Sequence, residues 1–376
     1  MTARRVFFYV QHLLGIGHLA RASRIAARLQ ADGMEVTLVT GGRPVTGFPP
    51  AQIAHVVLPA IAVPDGGFKG LLDADGNPAS ETYLDHRRDL LLAAYRDARP
   101  DIVMIEAFPF GRRQVRFELL PLIEAIEASQ LRPKLVTSLR DILQRSGKPG
   151  RDEETVAMVN AHFDRVLVHG DPAFAALGDS FALADRIADK IAYTGLVCGD
   201  RAEPSPERHD VLVSAGGGAV GAGLFRAALG AVAMLPPDLR WGIIAGPNLP
   251  QDEYQHLTAS APANVQIMRF RTDFPALLSA SRISVSQAGY NTVGDILQAG
   301  CRAILIPFAV DGETEQSDRA EKLSRVGRAA ILTEAALSPA SLAEAVKAAI
   351  AQMPSPNMPV IDIEGAARTS QILQQM

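Results

Sequence analysis

Residues Val6–Val39 read VFFYVQHLLGIGHLARASRIAARLQADGMEVTLV, and this stretch decides the fold. Val6–Val10 is a short β-branched and aromatic run that fits a buried strand. From Gly17 to Gln30, Leu19, Ala22, Ile25, Ala26 and Leu29 recur close to helical spacing, so a helix with one apolar face is expected. Asp32-Gly33 ends it, and Met34–Val39 reads as the next strand. Strand, glycine-bearing loop, helix and strand in that order is the unit of a parallel sheet.

The same alternation runs outward. Further strands are expected at His55–Leu58, Ile102–Ile105, Leu135–Ser138, Arg165–Val168 and Ile191–Thr194, with helices at Tyr83–Arg96, Arg116–Ala128 and Met158–Phe163. Leu196–Asp210 breaks the pattern with two prolines, several charges and no periodicity, and reads as a linker. The pattern then restarts. Val211–Ser214, Trp241–Ala245, Val265–Arg269, Ile283–Val285, Ala303–Ile306 and Arg328–Leu332 read as strands, and Leu224–Leu235, Thr292–Gln298, Gln316–Val326 and Leu342–Ala351 as helices. The expected organisation is an α/β chain: a first Rossmann-like domain over 1–195, a linker over 196–210, a second domain over 211–355, and a terminal helical segment over 356–376 that packs back across the junction. The 376 residues suit two such domains at about 150 residues each.

Composition narrows the class. Hydrophobic residues at 48% and charged residues at 21% supply a sizeable core and exclude a disordered chain. Lys+Arg 37 against Asp+Glu 41 leaves no global attraction to nucleic acid. The two cysteines, Cys198 and Cys301, cannot build a disulfide framework or a multi-thiolate metal site. MTARR leads into a short apolar run ended by Gln11 and His12, so no secretory signal is expected, nor is there an apolar stretch long enough to span a bilayer. The expected location is the cytoplasm, with peripheral contact at the inner membrane face left open.

Three segments carry the chemistry. In the first turn, Gly15 and Gly17 allow close backbone approach to a ligand, and His18 stands at the start of a helix, whose dipole favours the neutral imidazole. A neutral His suits proton removal from an alcohol, and a helix-capping or core-edge His has the same spacing. The orienting acid is Glu106, directly after a strand, with Asp141 as the alternative. Arg112 and Arg113 read either as solvated cations or as attractors of an anionic acceptor. There is no complete G-x-G-x-x-G, Thr40-Gly41-Gly42 stands where a ribose-binding acid is wanted, and no P-loop occurs, so dinucleotide enzymes and P-loop phosphotransferases lose ground.

The second segment is Ser214–Gly221, whose Gly216, Gly217 and Gly218 form a candidate anion cradle of bare backbone N–H groups, although tight packing asks for the same residues. The third is SQAGYNTVGDILQAGCRAILIPFAVDGETEQSDRA, Ser286–Ala320. Gln287 and Gly289 follow a strand, and Asn291 and Thr292 open a helix, a good diphosphate site. Asp295 either closes a capping box with Thr292 or accepts from ribose hydroxyls. Asp311, Glu313, Glu315 and Gln316 lie on one loop, which is either a solvated acidic loop or a polyhydroxyl-binding one.

The first turn and the late block together resemble the two-domain nucleotide-sugar glycosyltransferases of the GT-B type, most of all the peptidoglycan N-acetylglucosaminyltransferase group. The resemblance covers roughly residues 4–30 and 211–332. It implies two Rossmann-like domains with parallel sheets facing an interdomain cleft, and a metal-independent transfer from a nucleoside diphosphate sugar, UDP-linked by expectation, to an acceptor hydroxyl, with inversion expected and retention left open. His18 matches the histidine after the glycine loop, Gly216–Ala219 the loop facing the diphosphate, and Asn291-Thr292 the pair beside phosphate. Glu315-Gln316 match the pair that holds donor sugar hydroxyls. Gln287 stands for a phosphate-binding histidine, Asp295 for a ribose-binding glutamate one methylene longer, and Arg319 for an asparagine. The N-terminal turn, with Gly15 and Gly17, has fewer glycines than the GG-x-GG-H of the peptidoglycan enzyme, so its acceptor does not transfer. Glycan, lipid-linked and small-molecule acceptors stay open, as does the oligomeric state, and no cofactor is expected. The rival readings are a nucleotide-sugar epimerase or hydrolase and a non-catalytic nucleotide-sugar-binding protein.

Overall fold

The computed structural model describes residues 3–13, 17–45, 47–64, 70–145, 148–216, 221–246, 249–309, 313–351 and 360–376. The chain divides into two compact units: Met1–Pro172 with Ala176–Val197 and Glu364–Met376, and Cys198–Ile363 with Ala173–Ala175. Each is an α/β unit built on one wholly parallel sheet.

The first unit contains strands β1 (Arg5–Val10), β2 (Glu35–Thr40), β3 (Ala54–Val57), β4 (Ile102–Glu106), β5 (Lys134–Arg140), β6 (Arg165–His169) and β7 (Ile191–Tyr193). They lie in the order β3-β2-β1-β4-β5-β6-β7. Helices α1 (Gly17–Ala31), α2 (Glu81–Ala98), α3 (Arg116–Glu127) and α4 (Arg151–His162) cover its faces. Alternation along β1 explains its unbroken apolar run. Phe7 and Tyr9 pack on one face with Leu119 and Leu122 of α3. Val6, Phe8 and Val10 pack on the other with Ala22, Ile25 and Leu29 of α1. Gly33, at φ 88, ends α1 in the left-handed conformation that a helix C-terminus favours. The terminal helix α11 (Gly365–Gln375) belongs to this unit: Leu373 joins the face packed by α1, and Arg4 Nη1 donates to the Leu373 carbonyl at 3.2 Å. Leu196 and Val197, expected in the linker, are buried in this unit.

The second unit contains β8 (Val211–Ser214), β9 (Trp241–Ile244), β10 (Val265–Met268), β11 (Ile283–Ser286), β12 (Arg302–Leu305) and β13 (Ala329–Ile331), in the order β10-β9-β8-β11-β12-β13. Helices α5 (Ala222–Val232), α6 (Gln251–Ser260), α7 (Phe274–Ser279), α8 (Tyr290–Ala299), α9 (Glu315–Arg325) and α10 (Pro339–Ala351) complete it. Sequence periodicity misses α6 and α7. Leu257 is the buried residue of α6, so that helix has no apolar stripe to detect, and α7 is only six residues long. Helix α4 also starts at Arg151, seven residues before the expected Met158, with Asp152, Glu153 and Glu154 in its polar first turn.

Strand order reverses once in each sheet, between β1 and β4 in the first and between β8 and β11 in the second. Crevices beyond the C-terminal ends of such strand pairs are where open parallel sheets bind ligands. Registers Tyr9↔Ile105 and Ser214↔Ser286 bring these ends level.

Candidate active-site residues

Several of the residues singled out in the sequence lie, among the described residues, on the elements that flank these two switch points. In the first unit, His18 is in the opening turn of α1, after β1, and Glu106 is the last residue of β4. His18 Nδ1 and Glu106 Oε1 are 2.6 Å apart, the His18 side chain 22% and the Glu106 side chain 1% exposed. The partner of His18 is therefore Glu106. Asp141 is fully buried and its Oδ1 accepts from the Ile142 amide at 2.8 Å.

Burial and the charges around the dyad fix its protonation. Arg21, three residues after His18 on the same helix face, donates from Nη2 to Glu106 Oε1 at 2.5 Å, and Arg112 Nε lies 3.5 Å from Glu106 Oε2. Burial pushes His18 down to about 4; Glu106 opposes this, and the Arg112 and Arg21 guanidinia add to it. Burial alone would raise Glu106, but His18, Arg112 and Arg21 outweigh it and hold the carboxyl well below the ordinary range. At neutral pH the pair is imidazole and carboxylate. An ionised carboxylate only accepts, so Nδ1 carries the proton and Nε2 keeps its lone pair. That nitrogen can take a proton.

The loop after β4 holds Arg112 in place. Ala107 and Arg112 both have positive φ, 63° and 59°, a conformation that costs a non-glycine residue of order 1–3 kcal/mol. The Ala107 amide donates to Ser138 of β5 and the Gly111 amide returns to the Ala107 carbonyl at 2.7 Å, folding the loop so that Arg112 comes back over Glu106. Behind the dyad, His169 bridges Ser138 Oγ at 2.7 Å and Thr194 Oγ1 at 2.9 Å, and burial holds it at about 3, a neutral cross-strand tie.

A second buried network supports the ends of β1 and β2. Arg87 gives two bonds to Glu118 (2.8 and 3.0 Å), one to Gln11 (2.6 Å), and others to the carbonyls of Gly41 (3.0 Å) and Pro59. Glu118 also accepts from the Tyr9 hydroxyl. Arg87 and Glu118 are both fully buried, so the pair holds only because every guanidinium donor is met. Gly41 is required here: a Cβ on it would stand 1.9 Å from Arg87 Nη2. On Gly42 a Cβ would meet the His12 carbonyl at 2.4 Å. The Gly41-Gly42 pair that argued against a dinucleotide site in the sequence thus has its own packing reason.

In the second unit, Gly216 follows β8 at φ 71, and its amide donates to Ser214 Oγ at 3.2 Å. The expected partners Gly217 and Gly218 of this cradle, Gly15 of the first turn, and Asp311 lie outside the described residues. At the neighbouring strand end, Gly289 caps α8 with extended backbone (φ −65°, ψ 148°), and Tyr290, Asn291 and Thr292 form the first turn. In a helix's first turn the backbone amides take their partners from outside the helix. The expected capping box is corrected: α8 starts two residues before Thr292, so Thr292 is inside the helix and cannot cap it. Gln287 is half-buried in the preceding turn, and Asp295 is buried on α8.

Gln316, in the first turn of α9, ties the two loops together: its Oε1 accepts from the Ala288 amide at 3.0 Å and the Phe308 amide at 3.2 Å. Glu315 beside it is 2% exposed and accepts from Arg319 Nη2 at 2.7 Å, while Arg319 Nη1 donates to the Ala288 carbonyl at 2.9 Å. This Glu315–Arg319 pair braces the turn that leads into α8. Arg21, Arg87 and Arg319 are the participants that sequence reading missed or left without a role. Two had a visible signal, Arg21 at i+3 from His18 and Arg319 at i+4 from Glu315. Among the described residues no group of three His, Cys, Asp or Glu side chains could hold a metal ion, and no helix is long and apolar enough to cross a membrane.

The sequence profile of the glycosyltransferase family 28 C-terminal domain matches residues 213–371. The UDP-N-acetylglucosamine–N-acetylmuramyl-(pentapeptide) pyrophosphoryl-undecaprenol N-acetylglucosamine transferase of Novosphingobium aromaticivorans is 25% identical over 353 residues, covering 90% of this chain and 82% of its own. Among solved structures, the calicheamicin glycosyltransferase CalG4 superposes with a TM-score of 0.67 at 18% identity, covering 99% of this chain and 98% of its own. MurG of Acinetobacter baumannii gives 0.61 at 15% identity, covering 99% and 100%. The chain has the two-domain GT-B fold and is an enzyme of the glycosyltransferase class that acts on a nucleoside diphosphate sugar. It resembles the MurG-family transferases.

Proposed function

We propose that the enzyme transfers a glycosyl group from a UDP-sugar to an acceptor hydroxyl, with inversion at the anomeric carbon and without a metal. The observation that carries this reading is the 2.6 Å contact between His18 Nδ1 and Glu106, which leaves Nε2 as a neutral base at the switch point of the first sheet. His18 Nε2 takes the acceptor hydroxyl proton, the oxygen attacks the anomeric carbon, and the bond from that carbon to the diphosphate breaks. The UDP preference is supported by the named activity of the Novosphingobium relative. Gly216, Gln287, Gly289, Asn291 and Thr292 are assigned to the diphosphate, whose departing charge the α8 N-terminus favours. Asp295 is assigned to the ribose hydroxyls and Gln316 to the donor sugar, with Glu315 acting through Arg319.

The test is product separation with labelled UDP-sugars and a panel of acceptors. A glycosylated acceptor supports the proposal. Free sugar alone identifies a hydrolase, a changed donor sugar an epimerase, and binding without product a non-catalytic protein. His18→Ala should abolish transfer in a folded protein, and a retained rate removes His18 as the base.

A further inference from the structure

The guanidinium of Arg112 is not accounted for by the His18–Glu106 dyad. Glu106 Oε1 is already shared by His18 and Arg21, and the approach of Arg112 to Oε2 is a 3.5 Å ion pair, too long for a charge-assisted hydrogen bond. Arg112 Nε and Nη2 are buried and have no hydrogen-bond acceptor among the described residues. Its neighbours along the chain differ: Arg113 and Arg116 both pair with Glu154. The groups that act most on Arg112 include one carboxylate, Glu106, and two further guanidinia, Arg140 and Arg21. Burial, chiefly, pushes its charge loss toward lower pH; Glu106 opposes this, and Arg140 and Arg21 add to it. Two positive-φ residues, Ala107 and Arg112 itself, hold it there.

We infer that Arg112 receives an oxyanion of the acceptor, a carboxylate or a phosphate, placed near the hydroxyl that His18 deprotonates. The planar fork of arginine matches either group bidentately, and such an anion would give the buried Nε and Nη2 the acceptors they lack. This deepens the reading of His18 as the base and rests on it. It makes the acceptor an acid or a phosphorylated compound, not a neutral glycan or alcohol.

The test uses inorganic phosphate as the probe, with UDP present in excess so that phosphate does not compete at donor residues. Nitrogen-15 NMR of the His18 ring reports binding beside it, and the spectrum of His18→Gln assigns the signal. In the wild type, phosphate should shift the His18 resonances saturably. Arg112→Gln should weaken that titration roughly tenfold or more. Arg112→Lys keeps the charge beside Glu106 while losing the fork, should also weaken it, and carries the test if the Gln variant fails to fold. In a second arm, acceptors are offered in pairs with and without a carboxylate or phosphate, and the ratio of kcat/KM values should favour the anionic member in the wild type and collapse in both variants. The pairs also show which of the two anions is used. Unmoved His18 resonances in the wild type, or equal titration in wild type and variants, overturn the inference. If phosphate binding depends on Arg112 but His18→Ala still transfers sugar, the anion site stands and the base assignment falls.

Discussion

His18 should record its environment in both stability and rate. Burial lowers it from an ordinary 6.5 to about 4. Between those values the unfolded chain binds a proton that the native chain refuses, so native stability is lost as the pH falls through that window. At 22% side-chain exposure the group is sheltered enough for this difference to persist. Between neutral pH and about pH 4.5, His18 alone should remove about 2.5 kcal/mol of stability. Glu106 does not confound the window: its carboxyl is held lower still, so its contribution is present at neutral pH and disappears only under stronger acid. His169, at about 3, contributes a parallel loss in both proteins and cancels in a comparison. The assay is urea unfolding of wild type and His18→Gln at several pH values, with the difference in unfolding free energy plotted against pH. The wild type should lose roughly 2–3 kcal/mol more than the variant on acidification. The acid limb of kcat/KM should likewise fall near pH 4, since only the neutral ring accepts a proton. Parallel stability curves, or an activity limb near an ordinary histidine value, would refute the argument that burial, aided by Arg112 and Arg21, outweighs Glu106 and keeps His18 neutral.

Three further perturbations test the supports of the two sites. Glu106→Gln removes a charge-assisted bond to His18 worth about 1.5–3 kcal/mol, so kcat should fall about 10- to 150-fold in steady-state assays, with a lower Tm from two uncompensated guanidinia. Gly41→Ala drives a methyl group to 1.9 Å from Arg87 Nη2 and should cost about 3 kcal/mol or more in urea unfolding while leaving the dyad residues unchanged. Arg319→Leu strands Glu315 as a buried charge, costing about 3–5 kcal/mol, and should weaken UDP-sugar binding measured by calorimetry because the Ala288 turn loses its tether. Unchanged donor affinity in a folded Arg319→Leu would show that the turn does not need that tether.

Most of the sheet framework was legible because its strands are buried on both faces and therefore appear as short continuous apolar runs. Val6–Val10 and Ile102–Ile105 needed no other signal. Glu106 was legible for a related reason: an acid directly after such a run falls at the strand's C-terminal end. Helix α6 was not, because a helix that buries little leaves no period to count. The Arg87–Glu118 pair was hidden differently. Its members are separated by 31 residues on helices of mixed composition, and a charge that will be buried looks the same in sequence as one that stays in water. Glu315 was read as an open partner for sugar hydroxyls because its matching arginine, one helical turn away, was treated only as a departure from the family pattern.

The two switch points share a topology but differ in what they offer chemically. In the first unit, burial, aided by the guanidinia around one carboxylate, keeps a histidine neutral. In the second, side-chain charge is internally cancelled between Glu315 and Arg319, and what remains at the strand ends is backbone N–H and amide. That division suits the base and diphosphate roles proposed above for glycosyl transfer. A base must exchange a proton, so its position on the pH scale has to be set by nearby charges. A diphosphate needs fixed dipoles that do not titrate, because a group that gave or took a proton as charge developed would stabilise the wrong state. Arg319 in place of an asparagine fits this division: it removes the charge of Glu315 from the donor turn and leaves Gln316, neutral at every working pH, to join the loops after β11 and β12.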